Sequence, residues 1–122
     1  MKSYNGFSPK ERLEGDKIIK QAIKDGILKP LDECSCVLCG QDKGIRHYHN
    51  EDYSKENVVK DAICVCWRCH MMIHCRFKHK EAYIKYAKEI KSGKKYPPVY
   101  KNDFSILKEN GIKYENRRNA NK

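Results

Sequence analysis

An amphipathic pattern near the start of the chain predicts one long helix. Ser8 is a suitable N-cap, Pro9 suits the first helical position, and Glu11 completes a capping box with Ser8. The pattern therefore predicts a helix over residues 9–25, which Gly26 ends. The apolar side of this helix recurs at helical spacing and consists of Leu13, Ile18, Ile19, Ala22 and Ile23.

The middle of the chain carries strand patterns instead. Residues 45–49 form a short alternating run, which predicts a strand. Residues 50–57 have neither a helical nor a strand period, and they predict a loop. Residues 58–59 and 62–65 are of types that favour strands, so they predict a second strand that ends just before Cys66.

The second half of the chain returns to helical spacing. From Trp67 onward the apolar residues predict a helix, and residues 79–92 predict another. Two consecutive prolines make residues 96–100 extended, because neither donates an amide hydrogen bond. We expect a last short helix over residues 103–110, whereas residues 115–122 are polar enough to be disordered.

Composition limits the size of the core and the location of the protein. The chain has 122 residues, 39% of them hydrophobic, and its mean hydropathy is −0.88. These values predict one small domain with a modest core, to which a structural metal site would add stability. No stretch approaches the ~18 apolar residues of a transmembrane helix, and residues 1–10 lack the apolar part of a signal peptide. We therefore expect a cytoplasmic protein with reduced thiols and no membrane partner.

Charge is distributed unevenly along the chain, whose formal net charge is +10. Residues 1–75 contain 12 Lys and Arg against 11 Asp and Glu, whereas residues 76–122 contain 14 against 5. A lysine-rich surface can simply keep a protein in solution. A one-sided basic region beside metal motifs is also typical of proteins that bind nucleic acid. We expect nucleic acid, with DNA preferred, as the partner.

Two CxxC pairs supply four thiols at the spacing of a structural zinc site. Each short turn points two sulfurs toward one centre, and the pairs converge when the chain folds back. Disulfides or free thiols are the alternative interpretation. Other cysteines are expected to fill small gaps or stay free, although Cys34 or Cys64 could replace a neighbouring ligand, and Cys75 lies further along. The proposed zinc ligands are Cys36, Cys39, Cys66 and Cys69.

A histidine pair, His70 and His74, follows directly after the second CxxC turn. On a helix this separation stacks both imidazoles on one face, where they can share a metal ion, although such a pair is as often a surface coincidence. His49 at the end of the predicted strand could supply a third ligand, and His47 shares its face. An open site with three histidines and room for substrate is the catalytic type of metal site.

The whole segment 36–74 resembles the zinc-stapled branch of the HNH endonucleases. It contains Cys-x-x-Cys, then His-x-Glu-Asp-Tyr, then an Asn, then Cys-x-x-Cys-His-x-x-x-His. The resemblance implies a ββα-metal fold, in which two antiparallel strands and a helix hold one divalent ion against the scissile phosphate while a knuckle zinc braces the fold. We therefore expect an α+β domain with an N-terminal helix in residues 1–33, the zinc-stapled unit in 34–92 and a basic helical extension in 93–122.

The same resemblance implies roles for individual residues. His49, His70 and His74 match the ligands of the catalytic ion, which could be Mg²⁺, Mn²⁺, Ni²⁺ or Zn²⁺. Asn57 matches the central Asn, which orders the loop by hydrogen bonding to backbone. Asn50 departs from the pattern, because the family normally has a general-base histidine there. A neutral amide is not basic near pH 7, and a positioned base is typically worth about 10²–10⁴-fold in rate.

The consequence of Asn50 for function is open. His47 or Glu51 could substitute as the base, or the chain could cut slowly or not at all. The preferred function is metal-dependent hydrolysis of phosphodiester bonds in DNA by an endonuclease of HNH type. One alternative is a non-catalytic nucleic-acid-binding zinc module. The other is a phage or mobile-element protein that uses the same scaffold to bind and inhibit a host protein.

Several large side chains near the motifs have both a functional and a structural interpretation. Arginines can clamp phosphates because a guanidinium matches a phosphate bidentately, and solvated surface roles are the alternative. Trp67 is expected to pack under the zinc knuckle rather than to stack on bases, because it lies inside a CxxC turn. The candidate phosphate contacts are Arg46, Arg68 and Arg76.

Overall fold

The computed structural model describes residues 2–113, which form a mixed domain of helices and a two-stranded sheet. The predicted α+β class is thereby confirmed, and the segment 115–122, predicted to be disordered, lies outside the described residues. Within residues 2–113, no helix is long and apolar enough to cross a membrane. The elements in chain order are α1 (Pro9–Lys24), a 3₁₀ turn (Leu31–Glu33), β1 (Arg46–His49), α2 (Val58–Asp61), β2 (Ile63–Cys66), α3 (Trp67–Cys75), α4 (Lys80–Lys91) and α5 (Ile106–Glu109).

The start of α1 follows the sequence prediction. The Ser8 hydroxyl accepts a hydrogen bond from the backbone N–H of Glu11 at 3.1 Å, and the Glu11 carboxylate accepts one from the N–H of Ser8 at 2.9 Å. These bonds satisfy amide groups that the first turn of a helix leaves without internal partners. Asp25 caps the other end and Gly26 follows with φ of 74°, so the predicted helix is confirmed to within one residue.

The prediction of a strand at residues 58–59 is wrong, because this segment forms the helical turn α2. Val58 is fully buried there, and the second strand is confined to Ile63–Cys66. The turn brings the Asp61 carboxylate under the preceding loop, where it accepts hydrogen bonds from the backbone amides of residues 51–52. Charge-assisted bonds of this kind, together with burial of Val58, outweigh the weak strand preference of two valines.

The two strands and α3 form one continuous unit. β1 and β2 pair antiparallel, with Arg46 opposite Cys66 and His49 opposite Ile63. α3 begins at Trp67, the next residue after β2, and the Cys66 thiol accepts a hydrogen bond from the backbone N–H of Cys69 at the helix start. The start of β1 therefore lies beside the start of α3, and the ring of His49 at the end of β1 lies 5.1 Å from that of His74 in the last turn of α3.

The segment after α4 shares the core of this unit. Trp67 is buried, as predicted, and its indole N–H donates to the carbonyl of Asp103 at 2.9 Å. Ile106, Leu107 and Ile112 are buried in the same cluster as the residues of β2 and α3. Residues 93–113 therefore pack as part of the domain, and a second cluster of Ile19, Tyr53 and Val58 joins α1 to α2.

A close approach between two loops gives a test of this packing. Gly44 has φ of 73°, and a Cβ at this position would lie 2.4 Å from the carbonyl oxygen of Val99. The next residue, Ile45, donates its N–H to the same oxygen at 2.7 Å. We expect Gly44→Ala to lower the free energy of unfolding by about 3 kcal/mol or more in urea titrations, because the positive φ and the displaced backbone both cost stability.

Gly26→Ala is the matched control for this substitution. Gly26 has nearly the same φ, 74°, but a Cβ there would meet no atom within 4 Å. Gly26→Ala should therefore lower the free energy of unfolding by only about 1–2 kcal/mol, the penalty of a left-handed conformation alone. Equal losses for the two variants would contradict the close contact between Gly44 and Val99.

Candidate metal centres

Four thiols converge on one point between the loop before β1 and the start of α3. The ligand atoms of this group lie within 4.8 Å of one another, and the sulfurs of Cys39 and Cys66 are 3.7 Å apart. Two sulfurs bound to one tetrahedral zinc at ~2.3 Å would lie about 3.8 Å apart. The group could therefore coordinate one zinc ion, and it contains the four predicted ligands Cys36, Cys39, Cys66 and Cys69.

The backbone around the thiols holds each CxxC turn in place. Cys36 donates its N–H to the carbonyl of Gln41 and accepts from the N–H of Gly40, both at 2.8 Å. Hydrogen bonds from the other thiols, first that of Cys39, lower the pKa of Cys36. The Tyr86 hydroxyl lies 2.9 Å from the sulfur of Cys69 and can donate to it as a thiolate. Hydrogen bonding to Cys36 raises the pKa of Cys66 and of Cys69, so the four thiols ionise unequally, and a zinc ion, which binds thiolates, would displace the remaining protons.

The other three cysteines, two of which were alternative ligands, lie outside this group. Cys34 places its sulfur 3.3 Å from the Tyr48 hydroxyl, and Cys64 is buried. The Cys64 carbonyl accepts a hydrogen bond from the N–H of Val37, so this residue supports the first CxxC turn through its backbone. Cys75 is half-buried and belongs to neither metal-binding group among the described residues.

A second group consists of three histidines from β1 and α3. The ligand atoms of His49, His70 and His74 lie within 4.8 Å of one another. His70 and His74 are one turn apart on α3, and their Nε2 atoms are 3.0 Å apart. His49 is buried, and its Nδ1 atom is buried without a hydrogen-bond partner. An imidazole nitrogen without a partner beside two others fits a metal ligand, so the donor set suits a divalent ion.

The surroundings of His70 and His74 keep these two rings neutral. Burial is the main cause that lowers the pKa of His70 to about 3 and that of His74 to about 4. Only neutral imidazole can bind a metal ion, and both rings are therefore in the competent form at neutral pH. His74 is partly exposed, so the group opens to solvent on that side.

His47, proposed above as an alternative ligand or base, lies behind His70. Its Nδ1 is 3.1 Å from the Nδ1 of His70, on the opposite edge of that ring from His74. His49, and not His47, completes the three-histidine group. Burial also lowers the pKa of His47.

Glu51, the other candidate base, is held in a dense network beside His49. Its carboxylate contacts the Nε2 of His49 and a guanidinium nitrogen of Arg76, and it accepts from the Tyr4 hydroxyl at 2.5 Å and from the Asn5 amide at 2.8 Å. Although burial opposes ionisation, the hydrogen bonds and the Arg76 charge lower the pKa of Glu51 to about 2. A carboxylate of such low pKa accepts a proton poorly at neutral pH.

The N-terminal segment covers the histidines with an aromatic ring that the sequence did not reveal. The ring of Tyr4 lies 5.0 Å from that of His74 and 5.8 Å from that of His49. The Arg12 guanidinium packs over the same Tyr4 ring at 5.3 Å. Tyr4 lies in a short polar segment without periodicity, and Arg12 is one charge on a solvated helix, so no local signal marks either residue.

The two asparagines of the motif make different contacts from those expected. Asn50 is only 3% exposed, and its amide donates to the carbonyl of Val58 at 2.6 Å and approaches the Asp61 carboxylate at 3.4 Å. Asn57 is exposed and donates to the Asp52 carboxylate at 3.1 Å. The backbone contact that orders the loop, expected for Asn57, is therefore made by Asn50. Its side chain is directed to α2, where it could not act on substrate.

Two of the three candidate phosphate contacts are used inside the domain. Arg68 is 2% exposed, and its guanidinium donates to the Glu109 carboxylate at 2.8 Å. Arg46 donates to the backbone carbonyl of Leu31 at 3.1 Å. The structure therefore corrects the prediction for Arg68, whose burial denies it to phosphate, and gives Arg46 a structural contact. Arg76 forms an ion pair with Glu51, which contacts His49, so Arg76 lies beside the histidine group.

Comparison with known proteins adds no relative to this description. No protein-family model, no curated protein and no solved structure matches the chain. The likeness to HNH endonucleases therefore depends on the motif residues and on the geometry of the two groups, and on nothing beyond them.

The thiol group yields a prediction about metal and stability. Cys69→Ser should remove about one tightly held zinc per chain and cause a large fall in Tm, because a structural zinc contributes directly to folding. Cys75→Ser is the matched control, since Cys75 lies outside the group and should change neither quantity. Zinc analysis and thermal unfolding measure both. Unchanged zinc content in Cys69→Ser would contradict the assignment.

The asparagines yield a second prediction. Asn50→Ala should lower the free energy of unfolding by about 1–3 kcal/mol, because it leaves the buried Val58 carbonyl without a donor. Asn57→Ala should cost about 0.5 kcal/mol or less, because Asn57 is exposed. Chemical denaturation compares the two. A larger effect at Asn57 would mean that it, and not Asn50, orders the loop.

Proposed function

We propose that this protein is a metal-dependent endonuclease of HNH type that hydrolyses phosphodiester bonds in DNA. One observation carries the proposal: three histidines from strand β1 and helix α3 converge, with ligand atoms within 4.8 Å of one another, in a domain that also holds a separate group of four thiols. A closed thiolate group and an open imidazole group in one small domain correspond to a structural and a catalytic metal site.

The donor atoms indicate which ions each group would hold. The thiols would hold Zn²⁺. His49, His70 and His74 would hold a second divalent ion, and imidazole donors favour Zn²⁺ or Ni²⁺ over Mg²⁺, which prefers oxygen. An ion held there would supply Lewis acidity to a phosphate ester. His49 is buried, the Tyr4 ring packs against both His49 and His74, and His74 stays partly exposed.

Positive charge surrounds the open side of the histidine group. Arg12 and Arg76 both lower the pKa of His74 through their charges, although burial is the larger cause. Arg76 is partly neutralised by Glu51, whereas Arg12 contacts a carbonyl and the Tyr53 hydroxyl. An anionic phosphate that approaches His74 would therefore be attracted by fixed guanidinium charge.

The basic second half of the chain supports nucleic acid as the substrate. Exposed lysines recur along α4, within the part of the sequence whose charge balance is most positive. Lysines that neutralise phosphates release counterions, so binding to DNA should weaken as salt concentration rises. The exposed lysines of this helix are Lys80, Lys85, Lys88 and Lys91.

A non-catalytic nucleic-acid-binding module is the second candidate, and the position of Asn50 favours it. Asn50 is directed to α2, Glu51 has a pKa of about 2, and His47 contacts the rear of His70. None of the three presents a free base toward the open side of the group. The same scaffold could therefore bind nucleic acid through its basic surface while its metal groups serve stability.

A nicking assay separates these two functions. Zinc-loaded protein and supercoiled plasmid should give nicked product when Zn²⁺, Ni²⁺, Mn²⁺ or Mg²⁺ is added in turn. His74→Ala should reduce the rate by about 10²-fold or more, because it removes one ligand of the second ion. His79→Ala is the histidine control outside the group and should cut like wild type. Salt-dependent binding without nicking by any ion would favour the binding module.

A further inference from the structure

His70 makes close contacts through both of its ring nitrogens. Its Nε2 lies 3.0 Å from the Nε2 of His74, and its Nδ1 lies 3.1 Å from the Nδ1 of His47. A neutral imidazole has one N–H and one lone pair, so the two edges of the ring cannot both accept. Whichever edge faces a metal ion must carry the lone pair.

The positions of the neighbours determine which edge that is. His74 belongs to the three-histidine group and His47 does not, so the Nε2 edge of His70 faces the shared ligand point. With its lone pair on Nε2, His70 carries its hydrogen on Nδ1 and donates it to the Nδ1 of His47. His47 must then accept there and keep its own hydrogen on Nε2.

A parallel arrangement holds His49, the ligand from β1. The Nε2 of His49 contacts the Glu51 carboxylate, which can only accept, while its Nδ1 is buried and has no partner. His49 and His70 therefore each present one nitrogen to the group and donate from the other to an acceptor behind it. Metal-binding histidines generally have such a partner, which fixes the tautomer and the ring orientation.

The backbone and the packing hold His47 for this contact. His47 lies in the middle of β1, opposite Val65 of β2. Its ring meets the indole of Trp67 edge-on at 5.9 Å, and Trp67 is itself held by its bond to the Asp103 carbonyl. The acceptor nitrogen is thus positioned before any ion binds.

We propose that His47 is a positioning residue, which accepts the Nδ1 hydrogen of His70 and so directs the Nε2 lone pair of His70 toward a divalent cation. This inference rests on the metal group of the proposed function but not on cleavage. It gives His47 a role distinct from the ligand and general-base roles that the sequence suggests.

Two substitutions of His47 test the contact. His47→Asn keeps an acceptor, since the Asn Oδ1 lies close to the place of the His Nδ1, whereas His47→Leu keeps bulk and removes the acceptor. Co²⁺ titration of zinc-loaded protein, followed by absorption and calorimetry, should show affinity about 10–100-fold weaker in His47→Leu and within a few-fold of wild type in His47→Asn. The zinc content of the thiol group and the Tm, measured in both variants, are the controls for folding.

The tautomer of His70 gives a readout that needs neither activity nor bound Co²⁺. Long-range ¹H–¹⁵N NMR should show the Nδ1–H form of His70 in wild type and His47→Asn, and an increased share of Nε2–H in His47→Leu. An Nε2–H tautomer in the wild type, or equal loss of affinity in both variants, would overturn the inference. If the wild type bound no Co²⁺ at the histidines, the proposed function would fail, and the tautomer would still decide the role of His47.

Discussion

The convergence of four thiols from two distant CxxC turns is the constraint on which the rest of the structure depends. α3 has nine residues, too few to be a stable helix alone in water. Its start is held by the Cys66 thiol and by the approach of Cys39 at 3.7 Å. Because α3 begins directly after β2, this constraint also determines where His70 and His74 lie relative to β1.

The histidine group then depends on contacts that come from several parts of the chain. The Asn50 amide and the Asp61 carboxylate hold the loop that follows His49, while Glu51 contacts the rear nitrogen of that ring. Tyr4, from the N-terminal segment, packs against the rings of His74 and His49. Preorganised donors with fixed neighbours are what a metal site requires, so the same contacts that stabilise the loop orient the ligands.

Sequence reasoning succeeded where a function depends on local spacing. The CxxC turns, the His70 and His74 pair and the capped start of α1 all follow from separations of three or four residues. Sequence reasoning failed where the partner of a side chain lies far along the chain. The guanidinium of Arg68 is buried and donates to the carboxylate of Glu109, 41 residues away. The strand preference of the valines before Asp61 was likewise overridden. The Asp61 carboxylate accepts hydrogen bonds from the backbone amides of Glu51 and Asp52, and no local pattern in the sequence indicates this contact. The HNH interpretation itself stays a proposal, supported by the motif and by the two groups.

X-ray absorption spectroscopy of the zinc-bound protein tests the two-site account most directly. With one equivalent of zinc per chain, the account predicts sulfur ligands alone, at ~2.3 Å. A second equivalent should add nitrogen ligands at ~2.0–2.1 Å, from the imidazoles of His49, His70 and His74. A second equivalent that does not bind, or that shows no nitrogen shell, would contradict the claim that this domain combines a thiolate site with a separate histidine site.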